Sequence, residues 1–358
     1  MHTERHMFPG NNTSRGFYSY YPYIVPYSAA EHIYILKGGP GVGKSTFMRR
    51  IAEKAALLDF DIEFMHCSSD PDSLDAVFIP QKKVLVVDGT APHVIDPKFP
   101  GAIDEIINLG DCWNQEGLKE KRAEIVSLSV EVSRIFARAY RYLNAAARIY
   151  ENLEEIYSLA SDKNRINLIG AEIIDTYFKD DPITGKEGSL RRLFATAITP
   201  DGLRDYLPSA LNTSRKIILK GSPGTGTEKI LAKVLEAAVS RGYDTEAFYC
   251  ALFPEKLEHI VIRDKDLSIA TSNKYHTVPT EGFGSYDLDP YLNKDIIKAY
   301  DDYLQYNRLE FEGLLHRAIY TLSTEKIYHD RLERIYVDNM DFEKRNAYAD
   351  RVIEKVFG

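Results

Sequence analysis

Eight residues near the start of the chain combine the groups that hold a polyphosphate. The segment GGPGVGKS, residues 38–45, satisfies the pattern GxxxxGK[ST] and lies between an apolar run and a helix-like stretch. Glycines let the backbone wrap closely around phosphate oxygens, and N–H groups at the start of the following helix point towards them. Lys44 would neutralise the β- and γ-phosphates, and the Ser45 hydroxyl would coordinate Mg²⁺. The predicted nucleotide-binding residues are Gly38, Gly39, Pro40, Gly41, Val42, Gly43, Lys44, Ser45 and Thr46.

An aspartate further along the chain could complete the metal site. Asp88 ends the apolar run VLVVD, residues 84–88, and an aspartate at the end of a neighbouring strand reaches magnesium directly or through water in such sites. The alternative is that this carboxylate caps the turn into Gly89 and Thr90, because Asp-Gly is common turn chemistry. The next residue is not acidic, so a water-activating base must come from elsewhere in the chain.

The chain contains a second, altered copy of this region. IYILKGGPGVGKST returns 183 residues later as KIILKGSPGTGTEK, and 17 of 60 ungapped pairs between residues 34–93 and 217–276 are identical. Average residue usage gives about 4 identities by chance. YENLEEIY, residues 150–157, likewise returns as HDRLERIY, residues 329–336. The sequence therefore predicts two tandem units, residues 1–185 and 190–358, joined by the polar stretch 180–189.

The second copy acts as an internal control on the first. The lysine and both proposed magnesium ligands are lost together, since Lys44, Ser45 and Asp88 become Thr227, Glu228 and Thr271. A glutamate placed against phosphate would repel it. We therefore expect the second unit to keep the fold and to have lost metal-dependent nucleotide chemistry.

The same comparison sorts weaker candidates. Asp70 becomes Phe253 and is a possible base for activating water or a hydroxyl, the alternative being a helix N-cap ahead of residues 72–76. The pairs that recur in both copies favour core or turn roles, and they are Cys67 with Cys250 and His93 with His276. Arginines that could complete the site are Arg15, Arg138, Arg141, Arg191 and Arg192.

The elements that must position these residues follow α/β order. Strands are predicted at 33–37, 61–67 and 84–88, with a helix at 45–58 after the glycine-rich loop. Beyond Trp113, an apolar seam from Ile125 to Ile156 with alternating spacings of 3 and 4 predicts a helix of about 40 residues. A second amphipathic helix, 162–179, is expected to fold back on it as a hairpin spanning about 114–180, and a partner-binding coiled coil is the alternative. The second unit is expected to carry the same kind of helical tail over about 290–358.

Composition and charge narrow the classes of protein. The chain has 358 residues, 44% hydrophobic and 27% charged, with a net charge of -8, which is typical of a folded globular protein and makes nucleic acid an improbable main partner. Three cysteines without metal-ligand spacing indicate neither a disulfide framework nor a zinc site. No long apolar run or signal-peptide pattern is present, so we expect a cytoplasmic protein without membrane insertion. The sequence leaves open a small-molecule or protein partner and an oligomer.

The duplicated loop, with HCSSDPDSLD (66–75), VVDGTAPHVIDP (86–97) and TSNKYH (271–276), resembles an uncharacterised family of bacterial tandem P-loop ATPases or nucleotide-kinase-like proteins. The resemblance covers essentially the whole chain and implies binding of ATP with Mg²⁺ and two P-loop NTPase-like units. Family copies also carry GKS in the second loop, from which Gly226-Thr227-Glu228 departs. The leading hypothesis is an ATPase whose helical arms respond to nucleotide. The alternatives are a small-molecule or nucleotide kinase with the hairpin as lid and Asp70 as base, and a nucleotide-gated scaffold with little turnover.

Overall fold

The computed structural model describes residues 2–92, 94–183, 185–278 and 284–358. Its helices, in chain order, are α1 Lys44–Leu57, α2 Gln115–Glu120, α3 Arg122–Ala160, α4 Lys163–Phe178, α5 Leu207–Ala210, α6 Thr227–Val239, α7 Lys294–Ala299, α8 Asp301–Val337 and α9 Phe342–Phe357. The strands before residue 184 are β1 Glu4–Met7, β2 Gly10–Thr13, β3 Gly16–Ser19, β4 His32–Lys37, β5 Ile62–His66, β6 Leu74–Ile79, β7 Val84–Asp88 and β8 Asp104–Asn108. The later strands are β9 Leu190–Leu193, β10 Thr196–Thr199, β11 Gly202–Asp205, β12 Arg215–Lys220, β13 Thr245–Tyr249, β14 Leu257–Ile262, β15 Leu267–Ser272 and β16 Gly284–Asp287.

Two six-stranded, mostly parallel sheets form the centre of the molecule. The first has the order β1-β5-β6-β7-β4-β8, and the second has the corresponding order β9-β13-β14-β15-β12-β16. In both, the strand before the glycine-rich loop is flanked by two parallel neighbours, and the third strand of the order runs antiparallel to both of its neighbours. The chain is therefore a mixed α/β protein whose two halves repeat one strand arrangement.

The long helices α3 and α8 lie antiparallel and bind the two halves together. Near the start of α3, Leu128 packs with Leu332 and Ile335 near the end of α8, and at the opposite ends Leu153 packs with Leu304. The apolar seam of α3 is thus covered by a helix from the other half of the same chain. The apolar seam predicted a helix of about 40 residues, and α3 has 39. The seam did not show which part of the molecule would pack against it.

The helices that follow α3 and α8 are exchanged between the halves. The apolar face of α4 packs against α6 in the second half, with Ile166, Ile169 and Ile173 in the same core cluster as Ile230 and Val234. The expectation that residues 162–179 fold back on α3 was therefore wrong. The apolar face of α9 packs in turn against α1, and its contributions to that cluster are Ala349, Val352 and Val356. The helix that follows each glycine-rich loop is therefore covered by the last helix of the opposite half: α9 covers α1, and α4 covers α6.

A buried ion cluster joins the edges of the two sheets. Arg5 of β1 binds Glu246 of β13 at 2.7 Å, and Arg191 of β9 binds Glu63 of β5 at 2.8 Å and Glu246 at 2.7 Å. Although burial alone would raise it, the pKa of Glu246 is held well below its usual range by Arg5 and Arg191. Because removing one partner from such a network leaves an uncompensated buried charge, the cluster fixes how the two halves meet.

The strands expected at 33–37, 61–67 and 84–88 and the helix at 45–58 are confirmed to within one residue at most ends. The short helix considered at 72–76 was wrong, because the chain turns there and enters β6 at Leu74. β6 has all six residues buried and no alternation of apolar and polar residues, so its sequence carries no strand period. Among the described residues, no helix has both the length and the apolar character needed to cross a bilayer.

Candidate phosphate-binding site

The glycine-rich loop connects the end of β4 at Lys37 to the start of α1 at Lys44. Gly41 and Gly43 have φ of 70° and 81°, in the left-handed region that favours glycine, and Gly43 is the N-cap of α1. The first N–H groups of α1 have no partner within the helix and carry the positive end of its dipole. The loop therefore presents an anion-binding helix start at the carboxyl end of the sheet.

Lys44 lies across this loop. Its ammonium donates to the carbonyl oxygens of Gly38 and Gly39, at 3.0 and 2.9 Å, and lies 3.4 Å from a carboxylate oxygen of Asp88. Both side chains are only slightly exposed, 13% for Lys44 and 11% for Asp88. Because β7 runs parallel to β4 with Leu36 opposite Asp88, the pairing of the two strands brings Asp88 to the loop.

The two oxygens of the Asp88 carboxylate have different partners. Oδ1 accepts hydrogen bonds from the backbone N–H of Thr90, at 2.8 Å, and from the Thr90 hydroxyl. Oδ2 is the oxygen that faces Lys44. The turn cap that the sequence offered as one alternative is therefore present. The other alternative, a magnesium ligand, stays a prediction, and Oδ2 beside Lys44 is the oxygen left for it.

Ser45 stands on the first turn of α1. Its hydroxyl oxygen accepts a hydrogen bond from the N–H of Leu74 at 3.0 Å, which fixes the start of α1 against β6. A hydroxyl has two lone pairs and one hydrogen, so this bond leaves the oxygen able to serve as a metal ligand. Ser45, Lys44 and Asp88 are therefore brought to the same loop, and Thr46 is exposed beside them.

An arginine from the opposite half of the chain also reaches the loop. Arg345, in the first turn of α9, is 6% exposed and donates from Nη1 to the carbonyl oxygen of Gly43 at 3.3 Å. Its Nε is buried without a hydrogen-bond partner, and among the described residues no carboxylate lies within ion-pair distance of it. Burial and the charge of Arg50 lower the pKa of Arg345, although an arginine stays charged in proteins. The site thus holds a buried cation without a balancing anion.

The loop glycines also permit close packing of α8. A Cβ on Gly41 would lie 2.7 Å from the carbonyl oxygen of Glu333, and one on Gly39 would lie 3.0 Å from the ring of Tyr336. In the second half, a Cβ on Gly224 would clash with the backbone of Glu154 on α3. A glycine is therefore required at the position of Gly41 and Gly224 by the helix that covers each loop. This explains why it persists in both copies where the lysine, serine and aspartate do not, although Gly39 is replaced by Ser222.

The second loop is occupied by protein charges of its own. The Lys256 ammonium bonds the carboxylate of Glu154 and lies 3.4 Å from Glu228, the residue in the place of Ser45. At the position of Arg345, 179 residues earlier, α4 carries Ile166, which packs against Gly226. The arginine is thus present only opposite the intact loop. The sequence analysis missed it, although this replacement within the repeat was a visible signal.

The other predicted site residues make no hydrogen bond or ion pair with the loop among the described residues. Asp70 accepts from the Ser73 hydroxyl at 2.6 Å and lies 3.7 Å from Lys326 of α8. Among the described residues no hydrogen bond or ion pair joins Asp70 to Lys44, Ser45 or Asp88. Burial raises the pKa of the Cys67 thiol well above its usual range, so it is not an activated nucleophile. His93 lies outside the described residues.

The candidate arginines named from the sequence do not reach the loop through any described hydrogen bond or ion pair. Arg191 belongs to the buried ion cluster, Arg15 pairs with Glu255 at 2.8 Å and Arg192 lies over the ring of Tyr23. Arg138 and Arg141 are exposed on α3. Their positions favour structural or solvated roles.

A buried glutamate of α8 gives a prediction on pH. Glu325 is 3% exposed, and burial raises its pKa to about 7, with Lys326 lowering it and Asp330 and Asp70 raising it further. The folded protein then holds this proton more tightly than the unfolded chain, so the free energy of unfolding falls as the pH rises from about 4.5 to about 7. We expect Glu325→Gln to raise the free energy of unfolding by about 2–3 kcal/mol near pH 8 and to change it little near pH 4.5. Urea unfolding at both pH values measures this.

The exposed Glu310 on the same helix provides the control, since Glu310→Gln should change stability by less than about 0.5 kcal/mol at either pH. A Glu325→Gln protein that is no more stable than the wild type at the higher pH would contradict the protonation of Glu325. Tyr140 of α3 is a further titratable group beside Glu325, and burial raises the pKa of its phenol well above the range of this experiment.

Comparison of the chain with protein-family models, with curated proteins and with solved structures gives no match. The chemistry of the site therefore follows from its own groups. Lys44, Ser45 and Asp88 and, from the opposite half, Arg345 lie around a glycine-rich loop at the start of a helix.

Proposed function

We propose that the N-terminal half binds and hydrolyses ATP with Mg²⁺ at residues 38–46, as one P-loop NTPase-like unit of a duplicated pair. The observation that carries this proposal is the buried Arg345, a cation beside Gly43 with no carboxylate to balance it among the described residues. Lys44, which lies 3.4 Å from Asp88, and the start of α1 add positive potential at the same loop. Backbone N–H groups and cations arranged in this way favour a polyphosphate.

The roles of the residues follow from their groups. Lys44 would exchange the carbonyl oxygens of Gly38 and Gly39 for phosphate oxygens, which accept stronger, charge-assisted hydrogen bonds. Ser45 and Asp88 supply the hard oxygen ligands that Mg²⁺ prefers, and the hydroxyl and carboxylate in this structure fit such an ion. The ion, when bound, neutralises charge on the β- and γ-phosphates. Arg345 would stabilise the negative charge that develops on the transferred phosphoryl group.

The second half takes part through the helices that cover the loop. The end of α8 packs on Gly39 and Gly41 through Glu333, Tyr336 and Val337. A change in the conformation of the loop would therefore displace the end of α8, which packs along α3. We expect α8 and α9 to transmit the nucleotide state to the rest of the molecule. The altered loop of the second half, which carries Thr227 and Glu228 in place of Lys44 and Ser45, is not a second nucleotide site in this proposal.

Calorimetric titration of the full chain with ATP and Mg²⁺, combined with assays of ADP and phosphate release, tests the proposal. One bound nucleotide per chain and matched release of ADP and phosphate support the ATPase. ADP formation that rises with a pooled metabolite extract and exceeds phosphate release would replace it with a kinase. Binding without measurable turnover would replace it with a scaffold, and no binding would overturn the nucleotide site itself.

A further inference from the structure

A cluster of two histidines and a glutamate lies inside the second half, at residues that show no metal-ligand spacing in the sequence. Glu258 and His259 belong to β14, and His276 follows β15. One donor atom from each lies within 4.8 Å of the donor atoms of the other two. His259 is fully buried and His276 is 7% exposed, so this is not a surface group of acids. We propose that Glu258, His259 and His276 bind a divalent transition-metal ion of the zinc type.

A β-bulge explains how two consecutive residues of one strand can serve one site. Side chains of neighbouring residues in a regular strand point to opposite faces. Here Phe248 pairs with His259 and Tyr249 pairs with Leu257, which leaves Glu258 as the extra residue of a bulge. A bulge redirects a side chain and is common beside functional sites. The spacing of the two ligands therefore becomes meaningful only in the folded strand.

The two distances from Glu258 to the histidines suit coordination by a small ion. Glu258 Oε2 lies 4.0 Å from His259 Nε2, and Glu258 Oε1 lies 3.9 Å from His276 Nδ1. Two donors that each bind zinc at about 2.0–2.1 Å can be at most about 4.2 Å apart. Two imidazole nitrogens and one carboxylate also form a common donor set of three-ligand zinc sites.

The hydrogen bonding of the two rings leaves the required nitrogens available. Among the described residues, neither ring nitrogen of His259 has a hydrogen-bond partner, which is costly for a fully buried imidazole unless another group satisfies it. His276 Nε2 lies 2.8 Å from the Thr271 hydroxyl, so Nδ1 faces Glu258, an arrangement typical of a ligand oriented by a second group.

The repeat supports a chemistry specific to the second half. The counterpart of His259 is Ala76, and the counterpart of Thr271 is Asp88, so the donor set is incomplete in the first half. Two of the ligands, Glu258 and His276, also line a cavity of about 50 Å³. That volume is sufficient for a water molecule, and the remaining coordination position would face it. The inference is independent of ATP binding.

Metal analysis of the full chain tests this site directly. After removal of metal with a chelator and buffer exchange, titration with Zn²⁺ should reach about one tightly bound ion per chain, and Co²⁺ should give the visible ligand-field absorption of a low-coordinate nitrogen and oxygen site. Both Glu258→Gln and His276→Asn should lose this ion. Thr271→Val, which removes only the orienting hydroxyl, should weaken Zn²⁺ binding about 10-fold or more.

His329→Gln is the matched control, because His329, Asp330 and Glu333 form the other metal-capable cluster among the described residues. It should leave the stoichiometry and affinity unchanged. Retained binding in Glu258→Gln and His276→Asn proteins with native circular dichroism, loss of binding in His329→Gln, or the absence of a stoichiometric ion in the wild type would each overturn the proposal. The wild-type titration tests the presence of the metal site without any variant. The proposal therefore stays testable even if a variant fails to fold.

Discussion

Replacement of Lys44 by alanine is expected to weaken ATP binding about 100-fold or more and to abolish turnover. The ammonium contacts two loop carbonyls and Asp88 in this structure, and with nucleotide it would make charge-assisted bonds to phosphate, each contributing about 1.5–3 kcal/mol. Without it, Asp88 also loses the ammonium that lies 3.4 Å from its carboxylate. Calorimetric titration with ATP and Mg²⁺ at fixed ionic strength measures the loss of affinity.

Lys229→Ala provides the matched control in the second loop. Lys229 lies at the start of α6, two positions later in the motif than Lys44, and the second loop carries the Glu228 carboxylate against Lys256. We expect ATP affinity to be unchanged in this variant. Equal losses in the two variants, or no loss in Lys44→Ala, would contradict a single nucleotide site in the first half.

Replacement of Arg345 by methionine is expected to lower kcat about 1,000-fold while changing ATP affinity less than about 10-fold. An arginine that stabilises charge on the transferred phosphoryl group acts mainly on the transition state, and its removal from comparable sites costs about 10³ to 10⁵ in rate. Methionine keeps an apolar stem against Phe342, whose ring lies 5.3 Å from the guanidinium carbon. Steady-state kinetics of phosphate release give kcat and KM separately.

Two further variants separate the charge of Arg345 from its packing. Arg345→Lys keeps a positive charge without the planar guanidinium, so we expect only partial recovery of kcat. Arg351→Met removes an exposed arginine of the same helix, which stacks on Tyr348, and should leave kcat unchanged. An unaltered kcat in Arg345→Met together with a lower melting temperature would assign Arg345 to the packing of α9 on α1.

The exchange of helices makes both glycine-rich loops depend on the whole chain. α9 completes the first loop with Arg345, and α4 covers the second loop with Ile166. The buried cluster of Arg5, Arg191, Glu63 and Glu246 holds the sheets in the relation that this exchange requires. We therefore expect truncation after the first 185 residues to leave α1 without its apolar cover.

Local properties of the chain were readable from the sequence. The loop pattern depends on backbone freedom and on side-chain chemistry within eight residues, and the apolar runs of β4 and β7 and the seam of α3 are periodic features of single segments. The repeat added a comparison within one chain, which marked Lys44, Ser45 and Asp88 as lost together. The sequence did not predict β6, because a strand that is buried on both faces has no alternation of apolar and polar residues.

Contacts between distant segments were decided only by the tertiary structure. A periodic apolar face shows that a helix must be covered. By periodicity alone, α4 and α9 could each cover either half of the chain. Packing complementarity and the ion cluster between the two halves select the exchanged arrangement. Arg345 reaches Gly43 only because α9 crosses to α1. His259 and Glu258 face one site only because β14 bulges. In each case the stabilising contacts join segments that are far apart in the sequence, so the sequence alone does not show that they meet.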